Sequence, residues 1–366
     1  MTLIPQNSLA ARVAEKIKGM IADGVLREWL PGERMLSQSL QVSHSTLRGA
    51  LQMLKEDGMI ESRHGVGTRI VAAAVDRVLT VQDGAPGVGL LIPETMRSLR
   101  PFSLWLDVFH NQLVEAGWRL RIYQGRQYYR TNPSRILERL VAGSPCACWV
   151  LVLSTPSMQR WFEARKIPCV LAGSCHAGVS LPSVDVDHRA VSRHAAGELL
   201  RAGHRYLALF NPSSRNAGDQ QTEIGFFEGI RQSPHADEAT ASVVYHDVDA
   251  GSVEKCLQRT FQTGNPHSPT ALIISNAYAY LTTVSFLAMR RLRVPEDVSL
   301  ISRDDDPFLD YVRPTPARYR NQPEAFARKL TTQVLEVAAR RKANAGKILL
   351  LPEFFAGSSI AEIAAS

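Results

Sequence analysis

Short polar and cationic side chains cluster at Ser43, His44, Ser45 and Thr46, with Arg48 one turn on, where a helix should begin. Hydroxyls and backbone N–H groups at a helix start can bind phosphate oxygens. A helix that reads the DNA major groove enters it by its N-terminal residues. Arg48 falls opposite the apolar stripe Leu47, Leu51 and Leu54, where it can reach a guanine edge. Reaction chemistry is not set up in the same way. Ser, His and Asp all occur, but no segment shows a nucleophile elbow, and the glycines are scattered rather than gathered into a phosphate loop. Strand alternation puts Cys146 and Cys148 on one face. With no matching His or Cys group nearby, they read as core packing and not as a metal site.

The elements that must position the polar cluster can be read from periodicity. Residues 8–23 form an amphipathic helix with Leu9, Val13, Ile17 and Met20/Ile21 on one face and Gly24 as its stop. A second helix runs from about Gly32 to Leu40. A third starts after Ser43, which caps it, and ends at Gly58. Two strands follow, Met59–Arg63 and Thr68–Val71, joined by a tight turn through His64-Gly65-Val66-Gly67. Three helices and a hairpin in about 70 residues make a winged helix-turn-helix, an α+β domain over 1–72, with the His64-Gly65 tip aimed at the minor groove or the DNA backbone. Residues 73–86 read as a linker. From 87 to 366 apolar strands alternate with amphipathic helices, which implies parallel sheets of the doubly wound α/β kind. A segment of that length suits two lobes with a ligand cleft at the carboxyl ends of their strands. The first sensor strand ends at Pro93-Glu94, and these residues, with the loop near Phe102, are expected to form one side of the cleft.

The stretch Leu30-Pro31-Gly32-Glu33-Arg34 through Val42-Ser43-His44-Ser45-Thr46-Leu47-Arg48, continuing through Gly58-Met59-Ile60 to Arg63-His64-Gly65-Val66-Gly67-Thr68, resembles the GntR family of regulators over residues 9–71. The resemblance implies that Arg34, which starts the helix before the turn, contacts DNA. Two departures stand out. His44 replaces the arginine usual after Val-Ser, so a ring with one donor and one acceptor replaces a guanidinium fork. The segment from Gly24 to Pro31 is about two residues shorter than usual, which should alter a loop and not the fold.

The second segment resembles the effector domains of the lactose-repressor family, themselves similar to periplasmic sugar-binding proteins. The resemblance rests on Ser183-Val184-Asp185-Val186-Asp187-His188, Gly203-His204-Arg205, and Val294-Pro295-Glu296-Asp297-Val298-Ser299 through Asp304. It implies that Asp304 and Asn276 hold ligand hydroxyls, a strong and directional contact for a carboxylate. The family's ligand-clamping arginine falls at Thr222, three residues before Gly225-Phe226, and the partner of Asn276 is Ala277. Without a fixed cation at Thr222, a carboxylate-bearing ligand is disfavoured, and the acidic run Asp304-Asp305-Asp306 points toward a neutral polyol, sugar or cation. In the alternative readings those aspartates cap a helix or face solvent. His204 reads as a turn residue, and His188 as a lesser candidate for the cleft.

Composition fits. The 366 residues are 45% hydrophobic and 21% charged with a net charge of +7, as expected of a globular protein with a polyanionic partner. Residues 1–71 carry nine Lys/Arg against seven Asp/Glu, so placement rather than net charge carries the DNA argument. No signal peptide or membrane span is visible, and five cysteines in such a chain suggest free thiols in the cytoplasm. The expectation is a homodimeric regulator, a repressor that binds an inverted-repeat operator in double-stranded DNA. A small polar metabolite would modulate it, with no cofactor and no catalytic activity. Two rivals remain: a regulator with a degenerate sensor that takes no effector, and an enzyme built on the sheet domain.

Overall fold

The computed structural model describes residues 9–22, 29–40, 42–57, 59–63, 67–70, 86–93, 103–262, 268–339 and 346–363. The chain divides into two compact units, 1–85 and 86–366. Of the expected linker, only Pro86 lies among the described residues.

In the first unit, α1 (Leu9–Ala22), α2 (Glu33–Leu40) and α3 (His44–Glu56) precede the hairpin β1 (Ile60–Arg63) and β2 (Gly67–Ile70). Each helix contributes one apolar stripe. Val13, Ile17, Ile21, Leu36, Leu47, Ala50 and Leu54 close a single core with Met59, Ile60 and Ile70 of the hairpin. The stretch before α2 adds a third rung to the wing. Trp29 bridges Arg69, and the Leu30 amide donates to the Thr68 carbonyl at 2.9 Å.

The second unit has two lobes, each with a six-stranded sheet. The N-terminal lobe contains β3 (Gly87–Ile92), α4 (Ser103–Glu115), β4 (Arg119–Gln124), α5 (Ser134–Ala142), β5 (Cys146–Val152), α6 (Pro156–Ala164), β6 (Cys169–Ala172) and β7 (Ser183–Val186). The chain then enters the C-terminal lobe. There it forms α7 (His188–Arg201), β8 (Tyr206–Pro212), α8 (Ala217–Arg231), β9 (Thr240–His246), α9 (Ala250–Thr260), β10 (Ala271–Ile274), α10 (Ala277–Met289), β11 (Ser299–Ser302) and β12 (Ala317–Arg320). It returns for α11 (Pro323–Ala338) and β13 (Lys347–Leu350), and crosses once more to β14 (Glu353–Phe355). The sheet orders are β13-β7-β6-β5-β3-β4 and β14-β12-β11-β10-β8-β9, and among the described residues β14 is the only antiparallel strand in the pair. Helices cover both faces of each sheet, so central strands such as β3 are buried on every residue. α11 packs on α4 through Ala327, Leu330 and Val334, which makes it part of the N-terminal lobe.

One expectation about side-chain direction needs correction. The register between β3 and β5 shifts at Cys146, pairing Gly87 with Cys146 and Val88 with Cys148. This irregularity breaks the alternation. Cys148 packs with Val150 and Val152, while Cys146 packs with Trp149 and Leu151 on the opposite face. All five cysteines are free.

Candidate functional site

On the first unit, Ser43 caps α3. Its hydroxyl accepts from the Thr46 amide at 3.2 Å and lies 2.9 Å from the Ser45 hydroxyl and 2.8 Å from that of Thr46. Ser43, His44 and Ser45 are exposed, Thr46 is half-buried, and Arg34 stands exposed at the start of α2. The structure therefore brings these side chains and Arg48 to the ends of two adjacent helices. Sequence reasoning missed a partner: the Arg48 Nε donates to Glu33 Oε2 at 3.0 Å, although the arginine side chain remains 74% exposed. His64 and Gly65 lie outside the described residues, as do Glu94 and Phe102.

In the second unit a cavity of about 650 Å³ opens between the lobes. Asn276, Asp304 and His188 line it; Thr222 and Pro93 do not. Pro93 is half-buried. The strand ends beside it are tied down by Tyr129, whose hydroxyl lies 2.8 Å from the carbonyl oxygens of both Leu91 and Val152. The N-terminal wall comes instead from the residues after β5 and β6, from β7, and from the start of α4.

The reading of Thr222 also needs correction, because a fixed cation does occupy its surroundings. Arg303 is buried at the end of β11, and its Nη1 donates to Thr222 Oγ1 at 2.8 Å and to Asp219 Oδ1 at 3.0 Å. Its Nε donates to Asp304 Oδ1 at 2.9 Å. A guanidinium thus reaches Thr222 from the neighbouring strand end. Burial alone would pull its proton off more easily, but Asp304 and Asp219 outweigh that and hold it firmly charged. Because two carboxylates already balance it, Arg303 itself offers a ligand anion no uncompensated charge. Asn276 spends its carboxamide oxygen on the Tyr278 and Ala279 amides at 2.9 and 3.1 Å, capping α10 and leaving its NH₂ as the group available to a ligand.

Arg318, 2% exposed, repeats the pattern: its Nε donates to Asp305 at 2.8 Å and its Nη2 to Asp310. Burial raises the Asp305 pKa despite that pairing. Asp306 caps the 3₁₀ turn Pro307–Tyr311 through Oδ1, as one alternative reading allowed. Among the described residues, four buried polar atoms of cavity-lining residues have no partner: His188 Nδ1, Ser275 Oγ, Asp306 Oδ2 and Arg318 Nη1. Asp185 accepts from the Ser174 hydroxyl at 2.6 Å, and its Oδ1 lies 3.4 Å from His188 Nε2. Burial pushes the Asp185 pKa up, but His188, Ser174 and the Val186 amide together bring it below the usual carboxylate range. This Ser–Asp–His set has the carboxylate in the middle. The hydroxyl donates to the carboxylate and not to the imidazole, so the order differs from the Ser–His–Asp arrangement of a serine nucleophile.

Residues 9–70 match the bacterial regulatory proteins of the gntR family, and residues 196–360 match the periplasmic binding protein-like domain. The arabinose metabolism transcriptional repressor of Geobacillus stearothermophilus is 22% identical over 96% of this chain and 97% of its own. The regulator MalR of Streptomyces coelicolor is 25% identical over 82% of this chain and 88% of its own. Among solved structures, a LacI-type transcriptional regulator from Bacillus cereus subsp. cytotoxis has a TM-score of 0.67 at 15% identity, covering 76% of this chain and 99% of that one. A CelR–cellobiose complex has a TM-score of 0.64 at 17% identity, covering 90% and 100%.

Proposed function

We propose that this transcription regulator, a gntR-type DNA-binding domain joined to a periplasmic binding protein-like domain, is a homodimeric cytoplasmic repressor released from an inverted-repeat operator when a polyhydroxylated small molecule fills the interlobe cavity. The observation that carries the reading is the set of unpartnered polar atoms of cavity-lining residues. His188 Nδ1, Ser275 Oγ, Asp306 Oδ2 and Arg318 Nη1 are buried without partners. Buried polar groups are normally satisfied, so such a set marks a place where something else binds. The set includes a donor in Arg318 Nη1 and an acceptor in Asp306 Oδ2, and a sugar hydroxyl is both at once. A related regulator whose name refers to arabinose and structural neighbours solved with ribose or cellobiose favour the same class. The carboxylate-centred Ser174–Asp185–His188 set favours binding over catalysis.

The test is a thermal-shift screen of the full chain with pentoses, hexoses, disaccharides, polyols and sugar acids, followed by operator binding in the presence of each hit. A ligand at 100 times its Kd should stabilise the sensor by about 2.7 kcal/mol. A neutral hit that also weakens operator binding is the expected result. If no member of the panel shifts the transition, the regulator with a degenerate sensor is the better reading.

A further inference from the structure

The cavity has apolar as well as polar lining. Most of the charged and amide groups described above come from the C-terminal lobe and the Ser174–Asp185 pair from the N-terminal one, while a set of large apolar side chains stands open to the same space. Leu104 and Leu153 are each 43% exposed, Val248 65% and Leu351 71%, and all four line the cavity. Single exposed leucines are ordinary on a surface, but four around one polar-floored cavity form a patch.

Leu153 carries the argument furthest. It sits just past the end of β5 with φ +47°, a left-handed conformation that suits glycine or asparagine and is unfavourable for a leucine. Strain of this kind persists only where the surroundings enforce it, and it gathers at functional sites. Both flanks are enforced here. The Tyr129 hydroxyl reaches the Val152 carbonyl at 2.8 Å, Gln159 Nε2 donates to the Ser154 hydroxyl at 3.0 Å, and His176 Nε2 lies 3.2 Å from the Ser154 carbonyl oxygen. A buried polar network therefore holds a strained backbone in place, and the side chain it presents to the cavity is aliphatic.

We infer that the effector is two-ended: a polyhydroxylated head on the C-terminal lobe, and an apolar arm of alkyl or aryl character laid along Leu153 and Leu104. The inference rests on the reading of the site as a polyol cavity and adds to it the chemical class of the substituent. The rival explanation is that these leucines meet only one another as the lobes close, with no part of a ligand between them.

Calorimetry on the full chain decides it, using glucose, galactose and mannose beside their methyl, butyl and hexyl glycosides. Burial of each added methylene should tighten binding about fourfold until the wall is covered, with an increasingly negative heat-capacity change. Leu153→Asn should flatten that dependence and also raise the thermal midpoint of the unliganded protein, since asparagine accepts the left-handed backbone. Asp304→Asn should weaken every member alike and keep the slope. Equal affinity for a free sugar and its hexyl glycoside would overturn the inference and leave the polyol reading standing. An unchanged slope in Leu153→Asn would also overturn it, because the arm would then lie elsewhere. Failure of every sugar and glycoside to bind would remove both.

Discussion

In the proposed DNA-binding mode, Arg48 would reach a base edge at a cost set by Glu33. The exposed ion pair between them is worth at most about 1 kcal/mol, whereas a base contact is worth roughly 1–3 kcal/mol per head, so the arginine would leave its partner when a guanine edge is offered. Arg48→Ala should abolish sequence-specific protection in footprinting with the fold unchanged, and Glu33→Ala should tighten binding by removing both the competitor and a negative charge near the phosphates. Unchanged affinity in either variant would place the reading residues elsewhere. Inside the cavity the balance runs the other way. Arg303→Met would leave Asp219 and Asp304 with an uncompensated buried charge, costing roughly 3–5 kcal/mol. The thermal midpoint of the sensor should fall accordingly, and adding Asp219→Asn should recover part of the loss. The sequence carried the positions of Asp304 and Asn276 because motif spacing fixes strand ends. It did not carry the role of Arg303. Compensation across space, from β11 to α8, leaves no local signal: Thr222 reads as a loss until the guanidinium is seen to arrive from a different element.

At the scale of elements, the alternation of long apolar strands with helices was legible, whereas the close helix contacts that glycines permit were not. Gly225 and Gly229 mark where α8 presses against α7; a Cβ at Gly225 would lie 2.1 Å from the Arg189 carbonyl oxygen, and one at Gly229 2.5 Å from that of Arg193. Gly203, at φ +94°, follows α7 in the left-handed conformation, and the turn it makes is where the sequence reading put His204. The strand β7 was not anticipated, and neither were β12, β13 and β14. They are three or four residues long, mixed in polarity and assigned alternately to the two lobes, so neither periodicity nor chain order announces them. The turn after Gly203 also sets a pH dependence. His204 is buried, with Nδ1 2.9 Å from the Thr270 hydroxyl, and burial lowers its pKa from 6.5 to about 4. Between those values the unfolded chain takes up a proton that the folded one refuses, so stability falls as pH drops from about 6.5 to about 4, by up to ~3 kcal/mol. His204→Gln lacks that loss. The gap between its thermal midpoint and that of the wild type should therefore narrow from pH 7 to pH 5; a constant gap would show that the ring already titrates normally in the fold.

For the whole molecule, the chain crosses between lobes three times, at 186–188, 320–323 and 350–353, and all three crossings border the cavity. The first holds His188 against Asp185. A Cβ at Gly218, at the start of α8, would lie 2.8 Å from the His188 ring, so the C-terminal lobe packs directly on this crossing. A ligand held by both walls favours one arrangement of the crossings only to the extent that it binds that arrangement better. This makes regulation a thermodynamic coupling with a quantitative signature. If saturating effector weakens operator binding by a factor of 5–150, the usual range for a coupling of 1–3 kcal/mol, saturating operator must weaken effector binding by the same factor. The expected experiment titrates a hit from the sugar panel into the full chain with and without a duplex carrying two inverted half-sites about one helical turn apart. Two heads linked in a dimer gain effective concentration on such a duplex that a single half-site cannot supply. The coupling should therefore be read on the two-site duplex, with the protein sedimenting as a dimer at micromolar concentration. Equal ligand affinity with and without that duplex would mean that the cavity and the DNA-binding head do not communicate, whatever the cavity binds.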